Sequence, residues 1–73
     1  MNTDHLIIMA NDIGNFFAAY PDAEQAKRGI ANHLKRFWNP IMLKALIKHI
    51  ENGGEGLNAI VSEAVSSNRQ LLA

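Results

Sequence analysis

Apolar residues recur along this chain at spacings of three and four and never alternate with period two, a pattern that confines the fold to packed helices. Leu6, Met9, Ala10, Ile13 and Phe17 line one face of a first helix, expected at about residues 4–19. Thr3 or Asp4 can cap it, and Tyr20-Pro21-Asp22 ends it, because Pro21 disfavours a helical Tyr20. Asp22 with Gln25 reads as the capping box of a second helix, about 23–38, whose expected buried stripe is Ala23, Ala26, Ile30, Leu34 and Phe37. Trp38-Asn39-Pro40 forms the next corner, with Asn39 as cap and Pro40 at the first position of a third helix, about 40–52, which turns Leu43, Leu46, Ile47 and Ile50 inward. Gly53-Gly54 closes that helix. A fourth, about 58–68, carries Leu57, Ile60, Val61, Ala64 and Val65 with Asn58 as its cap; Ser66-Ser67-Asn68 is expected to fray, and Leu71-Leu72 could extend it against a partner. The fold expected is all-α, a small bundle of three to four short helices forming one domain over residues 1–73.

A core this small rarely supplies more than about 3–5 kcal/mol of net stability without a staple, and the chain has no cysteine to provide one. That absence also removes thiolate ligands for iron–sulfur clusters or zinc. A marginal core favours stabilisation by a partner. Met1 to His5 lacks the basic lead of a secretory signal, and the apolar run Leu6 to Ala10 is too short to span a bilayer, so a cytoplasmic chain is expected. Zero net charge conceals an asymmetry: residues 1–24 hold Asp4, Asp12, Asp22 and Glu24 without a cation, whereas residues 27–49 hold Lys27, Arg28, Lys35, Arg36, Lys44 and Lys48 without an acid. We rank ion pairing between the basic middle and the chain's own acidic flanks above an acidic or nucleic-acid partner.

Little in the sequence points to catalysis. His5, His33 and His49 fall on three helices with no partner at ligand spacing, and ordinary boundary histidines are the better reading. Gly53-Gly54-Glu55-Gly56 follows a helix and lacks the Lys-Ser/Thr of a phosphate loop. Ser62, Ser66 and Ser67 have no histidine alongside, and the carboxylates are scattered over different elements. The aromatic doublets say more. Adjacent helical residues point about 100° apart, so only one of each pair can sit at the centre of its stripe. That places Phe17 and Phe37 inside and leaves Phe16 and Trp38 at the border. Trp38, with Arg36 and Met42 near a sharp corner, has residue types enriched in binding hot spots.

The segments Met9-Ala10-Asn11-Asp12-Ile13-Gly14-Asn15-Phe16-Phe17, Pro21-Asp22, Gly29 to Met42 and Gly53-Gly54-Glu55-Gly56-Leu57 resemble, in order, the delta subunit of soluble NAD-dependent formate dehydrogenases. The likeness runs from about Leu6 to Val65, and its most specific block is His33-Leu34-Lys35-Arg36-Phe37-Trp38-Asn39-Pro40 with Met42 beyond; Tyr20 and Ile41 depart from the pattern. The resemblance implies a non-catalytic, cofactor-free accessory subunit that supports assembly or stability of a holoenzyme oxidising formate to carbon dioxide. In such complexes an alpha subunit carries molybdenum bis-pterin and iron–sulfur clusters, a beta subunit carries FMN and a gamma subunit a further cluster. Docking on alpha is the expectation, with Phe16, His33, Arg36, Trp38, Asn39, Pro40 and Met42 as candidate partner-binding residues. The competing readings are a small helical nucleic-acid-binding module, suggested by two basic helices joined at a corner, and a free-standing regulatory homodimer. Against the first of these, Ile41-Met42-Leu43 offers no polar base-reading side chain.

Overall fold

The computed structural model describes residues 2–72, and these form α1 (Thr3–Phe17), α2 (Ala23–Phe37), α3 (Pro40–Glu51), α4 (Ala59–Ser67) and a single-turn α5 (Arg69–Leu72), with no strand among them. The expected all-α bundle is therefore the fold, with four longer helices and a fifth, very short one. The ends differ from expectation by one or two residues. α1 is capped by Asn2, whose side chain accepts from the Asp4 N–H at 2.9 Å, in place of Thr3 or Asp4, and it stops at Phe17. Asp22 caps α2 by accepting from the Glu24 N–H at 3.0 Å. Asn39 caps α3 as expected, accepting from the Met42 N–H at 2.9 Å, with Pro40 in the first turn.

α3 ends in a Schellman motif. The Gly54 N–H reaches back to the His49 carbonyl at 2.9 Å and the Gly53 N–H to that of Ile50 at 3.1 Å, which needs the positive φ of Gly53, +114°. The next corner is held from a distance. Asn11 of α1 donates to the Gly56 carbonyl (2.9 Å) and accepts from the Asn58 N–H (2.8 Å). The Asn58 side chain donates to Asn15 (2.9 Å) and makes no capping bond, so the residue takes the cap position of α4 without the expected cap chemistry.

α2 is the central element, packed on α4, α1 and α5, and α1 also meets α3 and α4. Ile30, Leu34, Leu46, Val61 and Val65 are fully buried, surrounded by Leu6, Ala10, Trp38, Leu43, Ala64 and Leu72. Gly14 permits the close approach of α1 to α4, since a Cβ there would stand 2.6 Å from Val61 Cγ2. The C-terminal segment corrects one expectation: Asn68 Nδ2 bonds the Ala64 carbonyl at 2.8 Å and α5 returns Leu72 to the chain's own core.

Burial corrects two more. Ala23 is exposed and Ala31 buried, so the inner face of α2 is turned from the one expected. In consequence Trp38, expected at the border, is only 6% exposed, while Phe37, expected inside, is 67% exposed. The physical cause is twofold. With about 100° per residue, Ala31 draws the buried face away from Phe37 toward position 38. The helix also ends at Phe37, and Trp38 takes an extended conformation (φ −92°, ψ 139°), its N–H still bonded to the Leu34 carbonyl at 2.9 Å.

Candidate functional site

The seven candidate partner-binding residues fall into two groups. Trp38, Asn39, Pro40 and Met42 build the α2–α3 corner: Trp38 fills the core, Asn39 caps, Pro40 opens α3, and Met42 is half-buried against the core. Phe16, His33 and Arg36 instead come together on the outer face of α1 and α2, where Phe17, Tyr20 and Phe37 join them.

The rings form one connected surface. Phe16 meets Phe17 edge-on at 5.1 Å between centroids, and Phe17 meets Tyr20 at 5.4 Å and His33 at 6.2 Å. His33 lies 4.7 Å from Phe37, and the Arg36 guanidinium carbon stands 5.8 Å from the Phe37 ring centre, within cation–π range. Phe16 is as open to solvent as Phe37, and Tyr20 is exposed too. Other large apolar side chains that face solvent, Ile8, Ile41 and Leu71, are scattered singly, as is common on any protein surface. Contiguous exposed aromatics are uncommon on a small monomer and mark interaction sites.

Local sequence explains the placement. Phe16 and Phe17 end α1 and Tyr20 follows in the turn, while His33 and Phe37 stand four apart on α2 and so share one side of that helix. Gly29 lets the helices approach there, since a Cβ on it would lie 2.6 Å from the Phe17 ring. Phe17, Tyr20 and Phe37 were absent from the candidate set. The i, i+4 spacing of His33 and Phe37 was the signal that could have found the last of them.

Two shallow hollows flank the Phe17–His33 pair. One, of about 310 Å³, is lined by Asp12, Ile13, Phe16, Phe17 and His33. The other, of about 250 Å³, is lined by Phe17, Gly29, Asn32, His33, Arg36 and Phe37. These sizes lie at or below the lower edge of the range for small-molecule sites, about 300–1,000 Å³, and suit single side chains.

Ion pairing within the chain is sparse. Lys27 meets Glu63 of α4 at 3.2 Å and Glu24 at 3.4 Å, and Arg69 meets Glu51 at 3.1 Å. Those two carboxylates, Glu63 first, hold the Lys27 ammonium above the ordinary lysine value of 10.5. Among the described residues no ion pair engages Arg28, Lys35, Arg36, Lys44 or Lys48, so self-complementation of the basic middle rests on Lys27 alone. His49 Nε2 donates to the Glu55 carbonyl at 2.7 Å, a bond that braces the glycine corner. Among the described residues no three His, Cys, Asp or Glu side chains gather as a metal site, and no helix is long and apolar enough to cross a membrane.

No curated protein and no solved structure matches the chain. Residues 5–65 do match the family described as the NADH-dependent formate dehydrogenase delta subunit FdsD, a span that includes the asparagine-held glycine corner and the whole aromatic face. The chain belongs to the FdsD family of formate dehydrogenase delta subunits.

Proposed function

We propose that this chain is a cofactor-free, non-catalytic accessory subunit that supports the assembly or stability of a cytoplasmic NAD-dependent molybdenum formate dehydrogenase. It docks through the α1–α2 aromatic face on the alpha subunit, the chain expected to carry molybdenum bis-pterin and iron–sulfur clusters, within a complex that also holds an FMN-bearing beta subunit and a gamma subunit. The single observation that carries this reading is the connected aromatic surface, in which half-buried Phe17 and His33 link the exposed rings of Phe16, Tyr20 and Phe37, on a chain of a subunit family. Aromatic and arginine side chains supply most of the energy of protein interfaces, and covering this face removes apolar surface from water at about 25 cal/mol per Å².

The division of labour follows from size and chemistry. A 73-residue chain that commits Asn11, Asn39 and Asn58 to caps and corners contributes shape and apolar area to a larger assembly. The test is a deletion strain, in which assembled formate dehydrogenase and its molybdenum, iron–sulfur and FMN loading are measured beside formate-dependent NADH formation. Loss of assembled enzyme, restored by returning this chain, is the expected result. Unchanged yield and loading, or formate oxidation by the isolated chain, overturns it.

A further inference from the structure

The aromatic face has a polarity that restricts what it can receive. Its two hollows share Phe17 and His33 in their walls; Asp12 lines one of them and Arg36 the other. Neither charge has an ion-pair partner among the described residues. Arg36 instead lies over Phe37, an arrangement that leaves its guanidinium free for a carboxylate. The surface is therefore two adjoining, mainly apolar hollows, one with an acidic and the other with a basic side chain in its wall.

Backbone chemistry narrows the shape of the occupant. The described elements are all helices, whose main-chain groups bond internally, so no sheet edge is presented to an extended peptide. Recognition falls to side chains, and two hollows that share a wall suit neighbouring side chains on one face of a helix, where residues three or four positions along lie about 5–6 Å apart. The occupant is drawn from a partner subunit and not from a second copy, because the chain belongs to a family of subunits and Phe16 and Phe37 are themselves walls of the two hollows.

We propose that the α1–α2 groove receives an amphipathic helix of a partner subunit, which seats two bulky apolar side chains one turn apart in the two hollows, with a basic side chain facing Asp12 and a carboxylate facing Arg36. The inference rests on the subunit reading above and adds the form and charge order of the segment that is bound.

The test uses the full chain and the alpha–beta–gamma complex left when this chain is stripped from the assembled, purified holoenzyme. Affinity is measured for the parent and for Phe16→Ala, Phe37→Ala, Asp12→Lys and Arg36→Glu, with circular dichroism as the folding control. All four residues are exposed, so the variants are expected to fold. Each aromatic truncation should weaken binding roughly 30-fold, as for a hot-spot residue worth about 2 kcal/mol. Each charge reversal should weaken it several-fold, mainly through slower association that is relieved by salt. Photo-crosslinkers placed at positions 16 and 37 should label one partner segment at residues three or four apart. Failure of the parent to bind the complex overturns the subunit reading itself. Binding by the parent with all four variants unaffected overturns the groove alone, and binding weakened by the aromatic truncations but not by the charge reversals overturns the charge order. Loss of self-association in the variants, with complex binding intact, assigns the groove to a second copy and overturns the proposal.

Discussion

Phe37 and Trp38 are neighbours in the chain with opposite surroundings, and the contrast decides which of them a mutation can reach. Trp38 is enclosed by the core that also holds Leu34, Leu43 and Leu72, so Trp38→Ala removes a large ring from a close-packed interior at a cost of about 3–5 kcal/mol. That equals the whole net stability expected at this size, and the variant should be unfolded in a circular dichroism melt. Phe37→Ala removes an exposed ring, a change ordinarily within about 0.5 kcal/mol, and should keep helicity while lowering the melting midpoint by less than about 4 °C. The reverse order of the two melts would place the wrong ring in the core. The sequence stripe Ala26, Ile30, Leu34 admits either Phe37 or Trp38 as its continuation, three or four residues on. Two facts outside the stripe choose between them: Ala31 is buried, and the helix stops one residue before Trp38. An alanine is too small to declare its side of a helix in sequence, and an extended residue after a helix end obeys no helical period. Arg36 and His33 were legible as surface candidates; the ring between them in the docking face was not.

Among the elements, what is local was legible and what is tertiary was not. Pro21, Pro40 with its Asn39 cap, and the Gly53-Gly54 corner divide the chain where sequence says they should, because turns and caps are decided within a few residues. Asn11 holding the Asn58 N–H bridges 47 positions, and no spacing rule could have announced it. Asn11→Ala leaves that part-buried N–H without its acceptor, and should cost about 1–3 kcal/mol of stability in chemical denaturation; an unchanged midpoint would show the corner to be held by other contacts. The two helical glycines should respond differently to alanine. At Gly14 the new methyl would meet Val61, itself fully buried, and overpacking of about 1–3 kcal/mol exceeds the helix-propensity gain of about 1 kcal/mol. Gly14→Ala should therefore destabilise. At Gly29 the obstacle is the half-buried Phe17 ring, which can turn outward, so Gly29→Ala should melt within about 4 °C of the parent while displacing the ring at the centre of the docking groove. A stable Gly14→Ala, or a Gly29→Ala that unfolds, contradicts this account of the two crossings. The α2–α4 contact carries an electrostatic signature as well. Glu63 and then Glu24 raise the Lys27 ammonium above 10.5, so the stabilisation is fully present below that value and is lost as pH rises through the raised one. The difference in melting midpoint between the parent and Glu63→Gln should accordingly be constant through neutral pH and shrink above about pH 10.5. A difference that grew in alkali would show that the contact does not depend on the charged lysine.

At the scale of the whole molecule, a chain with no disulfide and a core of a few fully buried side chains exposes a run of rings that a free-standing protein of this size has little reason to leave uncovered. The same budget of apolar residues that makes the core marginal places Phe16 and Phe37 outside it, so stability and docking are linked through the partner. A ligand that binds only the folded chain, present at about 100 times its dissociation constant, adds about 2.7 kcal/mol, close to the whole stability of about 3–5 kcal/mol expected of the chain alone. Amides that exchange only by global unfolding, those nearest Ile30, Leu34 and Val61, should then exchange about 100-fold more slowly in the presence of the alpha–beta–gamma complex. Side-chain docking adds a local effect: amides in residues 12–20 of α1 and its turn, and in residues 28–37 of α2, should gain protection even where they open by local fluctuation, whereas the outer surface of α3 around Ile41 and Lys44 should gain only the global part. Hydrogen exchange read by mass spectrometry with and without the complex separates the two contributions. Local protection confined to α3 and α4 would move the docking surface away from the α1–α2 face. An unchanged global rate at saturating complex would mean that the partner binds the chain no better folded than unfolded, and would break the link between a marginal core and its role as a subunit.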